Sequence, residues 1–198
     1  MSRSKGTSLT LFSFMVFGLV AGAFLARLQF GEHSSDHLPT YGTIPAFSLQ
    51  DATGGAFQSE SMRGKVWTLN FFFTSCPAVC PAVMGRLSSI GITQRTDESF
   101  RLVSITVDPE TDDAETLQKY GERLGADGMQ WLFLTGELDA IRALRANSLK
   151  LDSGEEVDLH TTRVLLIDKQ GQIRGFYQGV EDASMKQLQR DIQLLIAE

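Results

Sequence analysis

The chain has 198 residues, of which 42% are hydrophobic and 21% charged, a balance that excludes a disordered protein and suits one globular domain with a short appendage. Two cysteines are too few for a disulfide-built scaffold. Formal net charge is −6, and because Arg3, Lys5 and Arg27 are the only charged residues before position 29, the rest of the chain carries −9 with no Lys/Arg cluster, which argues against a nucleic-acid partner.

Gly6 to Ala26 contains no charged residue, and 21 residues of helix would span about 32 Å, enough to cross a bilayer core. Arg3 and Lys5 precede this run, so the expected orientation leaves the N-terminus in the cytoplasm and exports the remainder. A cleaved signal peptide is the alternative, with Ala21-Gly22-Ala23 as a small-x-small cleavage site, but the length of the run favours an uncleaved transmembrane anchor over 1–28. In either case the domain folds outside the cytoplasm, on the periplasmic or equivalent side, where paired thiols can be oxidised. Residues 29–45 are polar and without period and read as a tether; His33 and His37 lie in it at a metal-like spacing, but Gly and Ser break the helix such a pair would need.

From residue 46 the pattern is that of a folded domain, 46–198. Ala46–Gln50 alternates as a strand, and Val66–Phe73 is a nearly continuous apolar run, the signature of a strand covered on both faces. A helix is expected from Pro77 towards Arg95, with Val79, Val83, Leu87 and Ile90 as its stripe. A second central strand spans Arg101–Asp108, and an amphipathic helix Asp113–Leu124. Trp131–Leu134 reads as a short strand and Glu137–Leu149 as a helix. Arg163–Asp168 and Ile173–Gln178 form a hairpin about 169–172, and Asp182–Ala197 closes the chain as a helix. Early alternation followed by a late hairpin predicts an α/β fold, a mixed sheet with helices on both faces.

The chemistry-bearing feature is Cys76-Pro77-Ala78-Val79-Cys80-Pro81, placed where the covered strand gives way to a helix. Unpaired N–H groups and the helix dipole favour a thiolate there. Sulfurs four residues apart can converge to bind one metal ion, or close a disulfide. So small a loop would constrain the unfolded chain little, which argues for a functional pair rather than a structural cross-link. His160, between the acidic loop Asp152–Asp158 and the strand from Arg163, is the available third ligand, since a sheet of this order returns that loop beside the Cys pair. Two thiolates and an imidazole suit Cu(I), and Cu(II) once the imidazole joins; closed zinc sites want a fourth ligand. Met84, four residues after Cys80, is first a core residue, as are Trp67, Trp131 and Phe71–Phe73.

Three segments resemble the SCO/SenC family of thioredoxin-fold copper proteins: Asn70–Pro81 (NFFFTSCPAVCP), Val103–Asp112 (VSITVDPETD) and Asp158–Asp168 (DLHTTRVLLID). The resemblance covers about Ile44 to Glu198 and extends to an anchored N-terminus. It implies a thioredoxin-like fold, Cys76, Cys80 and His160 as copper ligands, and copper delivery to, or thiol reduction of, the copper-bearing subunit of cytochrome c oxidase or another copper/thiol protein. Asp108 matches an acidic residue near the family's site, while Asp108 and Asp112 are also the residues a turn around Pro109 would use. The chain departs from the commonest family motif at Ser75 and Ala78, where the family usually carries His and Asp. It also differs from ordinary thioredoxins, whose cysteines are one residue closer and face a cis-Pro late in the chain; here no Pro follows Pro109. The alternatives from the residues are a membrane-anchored thiol–disulfide oxidoreductase, with Cys76 and Cys80 as its redox pair, and a peroxidase using Thr74.

Overall fold

The structure is a computed structural model that describes residues 37–153 and 162–198. The proposed anchor 1–28, tether residues 29–36 including His33, most of the acidic loop, and His160 lie outside the described residues. Among the described residues no helix is long and apolar enough to cross a membrane.

In chain order the elements are β1 (Gly42–Thr43), β2 (Ser48–Asp51), β3 (Ala56–Gln58), a 3-10 turn (Ser59–Met62), β4 (Val66–Phe72), α1 (Val79–Thr93), β5 (Phe100–Thr106), α2 (Ala114–Arg123), β6 (Trp131–Thr135), α3 (Leu138–Ser153), β7 (Arg163–Ile167), β8 (Gln172–Gln178) and α4 (Asp182–Ala197). The strands form one mixed sheet in the order β1-β8-β7-β4-β5-β6-β2-β3. β4, β5 and β6 are parallel, and β7 and β2 add antiparallel on either side. This is the mixed sheet with helices on both faces that the sequence predicts.

β4 explains the layering. All seven of its residues are buried. Trp67, Leu69 and Phe71 point into a core shared with Ile141, Leu144 and Leu149 of α3. Val66 and Phe72 point into the opposite core, with Val83, Met84, Leu87 and Ile90 of α1, Leu117 of α2 and Leu188 and Ile192 of α4. A strand with apolar partners on both faces reads as a continuous hydrophobic run, which is why its sequence signal is strong. The polar side chains on the α1 face are linked in a chain: Trp131 Nε1 donates to Ser104 Oγ, which donates to Asn70 Oδ1, and Asn70 Nδ2 donates to Met84 Sδ at 3.5 Å. Met84 is fully buried with its sulfur held by Asn70, the core role expected of it.

The stretch read as a tether is bound to the domain from residue 38. Gly42 and Thr43 pair with Ile173 and Gln172 of β8. Arg174, 9% exposed, donates to the carbonyls of Leu38 and Pro39 and pairs with Asp168 at 2.9 Å and with Glu198 at 3.3 Å. Strands of two and three residues, β1 and β3, carry too few positions for alternation to mark them; pairing decides them, with distant β8 for β1 and with neighbouring β2 for β3. His37 is exposed beside Glu198.

Removing Arg174 leaves the buried Asp168 carboxylate without its cation. Arg174→Ala should cost about 3 kcal/mol or more of unfolding free energy. Urea denaturation of the two proteins measures this, and unchanged midpoints would refute it.

Candidate functional site

The carboxyl ends of β4 and β5 and the start of β7 lie at one edge of the sheet, since Phe72 pairs with Thr106 and Asn70 with Val164. The chain leaves β4 there through Phe73, Thr74 and Ser75, and reaches Cys76 before α1 begins. The helix starts at Val79 rather than at Pro77. Pro81 accounts for this: within a helix its ring would clash with the carbonyl of residue 77, so it is tolerated only in the first turn. Cys76 therefore stands outside the helix, and Cys80 inside its first turn.

Both cysteines are free thiols, Cys76 buried and Cys80 half-buried. Burial opposes ionisation of Cys76, but hydrogen bonding from the Cys80 thiol and from the backbone N–H groups of Ala78, Cys80 and Val79 outweighs it, leaving the Cys76 thiol below its ordinary range. Those N–H groups are the ones a helix N-terminus leaves without partners. Cys80 moves the other way. Burial, followed by its hydrogen bond to Cys76, pushes it up to about 12. The two sulfurs thus face one another with opposite acidities, an arrangement able to hold one soft cation or to cycle between dithiol and disulfide.

The surroundings come from distant parts of the chain. Cys80 lines a small cavity with Asn70, Val83, Met84, Thr162 and Arg163. Gly179, just after β8, packs against Thr162 and Val83 of its lining, donating its N–H to Thr162 O at 2.8 Å; a Cβ there would stand 2.7 Å from that oxygen and 2.8 Å from Val83, so only glycine fits. Tyr120 of α2 stacks on Phe72 at 5.4 Å, and Arg123 lies 5.4 Å over its ring. Burial, then the charge of Cys80, pushes the Tyr120 phenol up to about 12. Asp112 is fully buried, with its carboxylate bonded to Thr74 and Thr106. The cap of α2 is Asp113, which accepts from Thr116 N at 2.8 Å. The Asp108 carbonyl accepts from the N–H groups of Thr111 and Asp112, the turn expected around Pro109.

Cys76 and Cys80 lie near one another, hydrogen-bonded through their thiols. His160 lies outside the described residues, but Thr162, two residues after it, borders Cys80. Among the described residues, no three His, Cys, Asp or Glu gather as a metal-binding group. The peroxidase alternative loses its activating hydroxyl, because Thr74 Oγ1 donates to Asp112. Sequence reasoning missed Tyr120 and the buried bonds of Asp112; helical position alone does not reveal which loop a residue meets.

The SCO1/SenC family description matches residues 35–197. The SCO1 protein homolog of Bacillus subtilis is 27% identical over 187 residues, covering 90% of this chain and 95% of that protein. Of solved structures, BsSco, in which a disulfide switch was identified and which is a member of the Sco family of cytochrome c oxidase assembly proteins, has a TM-score of 0.69 and 24% identity, covering 80% of this chain and 97% of that one. ScoI of Bradyrhizobium japonicum with copper bound has a TM-score of 0.61 and 22% identity, covering 77% and 99%. The mixed sheet described above is accordingly thioredoxin-like.

The split acidities make a direct prediction. A lowered thiol is ionised at lower pH, so at pH 7 iodoacetamide should label Cys76 well before Cys80, and Cys80 labelling should climb only as pH rises towards 12. Peptide mass spectrometry of partly labelled protein reads this, and equal labelling at pH 7 contradicts it.

Proposed function

The chain belongs to the SCO1/SenC family, and on that basis we propose that it carries copper as cargo between Cys76, Cys80 and His160, for assembly of the copper-bearing subunit of cytochrome c oxidase. The observation that supports this most is the pairing of two free thiols at the start of α1, beside the chain that follows His160. The donor set fits the ion: thiolates are soft ligands for Cu(I), and an imidazole adds a ligand that Cu(II) accepts.

The residues of this chain set how cargo is taken up. Cys76 has its negative charge favoured in advance by helix-start amides. Cys80 is protonated when free and must lose that proton to become a ligand, so uptake releases protons and tightens as pH rises. Release then proceeds by ligand exchange: a partner's thiolate replaces one ligand at a time, and returning the proton to Cys80 favours departure. ScoI with copper bound, and BsSco as a cytochrome c oxidase assembly protein, support the cargo and the partner. The uncharged run Gly6 to Ala26, preceded by Arg3 and Lys5, supports membrane attachment with the domain on the extracytoplasmic side.

A second reading, thiol–disulfide exchange with a partner's cysteines, is favoured by the unequal thiols themselves. The Cys76 thiolate would attack a partner disulfide, displacing one partner thiolate and forming a mixed disulfide; the Cys80 thiolate would then release the second partner thiol, leaving Cys76–Cys80 oxidised.

Equilibrium dialysis with Cu(I) and Cu(II) separates the readings. Cys76→Ser and Cys80→Ser should each weaken Cu(I) binding at least about tenfold, His160→Ala should weaken Cu(II) more than Cu(I), and Met84→Leu should bind as the parent does. Parental copper binding by the first three variants ends the cargo reading. Trapping of a partner by Cys80→Ser, with exchange retained in His160→Ala, would then leave the dithiol reading in place.

A further inference from the structure

Asp112 is 0% exposed, and a carboxylate removed from water is costly unless its oxygens are hydrogen-bonded. Its donors here are neutral: Thr74 N at 2.9 Å, the Thr74 hydroxyl, and the Thr106 hydroxyl at 2.5 Å. Local structure does not require that carboxylate. The turn at 108–112 is closed by backbone bonds to the Asp108 carbonyl, and the helix that follows is capped by Asp113. What the side chain does is join two loops 38 residues apart, the end of β5 and the strand-to-helix loop two residues before Cys76. In the same loop Cys76 N donates to Phe73 O at 3.3 Å, the Phe73 backbone bonds to the Cys80 sulfur, and Ser75 is exposed.

We propose that Asp112 is a positioning residue for the cysteine pair. Through Thr74 it fixes the loop leaving β4, so that the Cys76 sulfur is held against the first-turn amides of α1 and opposite Cys80. The inference rests on the reading that this pair works chemically, as metal ligands or as a dithiol. Asp112 touches neither sulfur. It acts by orientation, as the groups behind metal-binding and nucleophilic residues commonly do.

The test uses the reduced full chain and reads the thiols directly, so that it does not depend on copper. Asp112→Asn, Thr74→Val and Thr74→Ser are compared with the parent for the rate of Cys76 alkylation by iodoacetamide at pH 7 and for the dithiol/disulfide midpoint against glutathione, with urea denaturation alongside. Loss of the clamp lets the sulfur leave its amides, which destabilises the reduced form. Asp112→Asn should therefore slow alkylation about tenfold and shift the midpoint about 30 mV more negative, the equivalent of tenfold in a two-electron equilibrium. Thr74→Val should move both in the same direction and Thr74→Ser, which keeps the hydroxyl, should restore both. A folded Asp112→Asn with parental rate and midpoint overturns the proposal. Should Asp112→Asn fail to fold, Thr74→Val decides it: parental values overturn the proposal, and a shift reversed by Thr74→Ser sustains it. A parent that binds no copper while these shifts appear removes the cargo reading and leaves the role of Asp112 standing.

Discussion

The backbone N–H groups of Ala78, Val79 and Cys80 hold the Cys76 thiol below its ordinary range, and the remaining features of the site serve to keep Cys76 where they act on it. A helix start leaves its first N–H groups without partners, and here an anion-forming side chain just outside the helix takes them. Two prolines make the geometry local and stiff. Pro81 confines the helix start, and Pro77 fixes the backbone directly after Cys76. The same arrangement makes the two thiols unequal, because the amides at the helix start serve Cys76, while Cys80 within the turn packs against the core.

This local device works only on a rigid platform. β4 is buried along its whole length and bonded on both sides, to β5 and to β7, so the point at which the chain turns towards Cys76 is set by the centre of the sheet. The side-chain chain from Trp131 to Met84 ties β6, β5, β4 and α1 together on one face directly beneath Cys80. Thr162 and Gly179 bring the β7 and β8 end against α1 on one side, and Tyr120 stacks on Phe72 on the other. The cysteine edge is therefore assembled from β4, β7, β8, α1 and α2, with close contacts that leave little freedom for any of them to shift alone.

The departures from the family's usual motif, Ser75 and Ala78, leave the run from Asn70 to Gly85 without any charged side chain. Polarisation of the sulfurs accordingly falls to backbone dipoles and to each other. Backbone dipoles are fixed by the fold and do not titrate, so the difference between Cys76 and Cys80 is built into the geometry of the turn.

The sequence by itself determined the covered strand, the four helices among the described residues, the late hairpin and the cysteine pair at a strand–helix junction. Each of these is written in residues close together: an apolar run, a helical stripe, a turn dipeptide, a four-residue spacing. The first strand, the binding of residues 38–43 to β8, the place of Tyr120 and the clamp from Asp112 to Thr74 were decided by tertiary structure alone. Their partners lie tens of residues away or more, and periodicity reports only which face of an element is apolar. Which distant side chain a buried carboxylate or an edge backbone will meet depends on how the layers pack, because a hydrogen bond forms only where the fold brings donor and acceptor within about 3 Å.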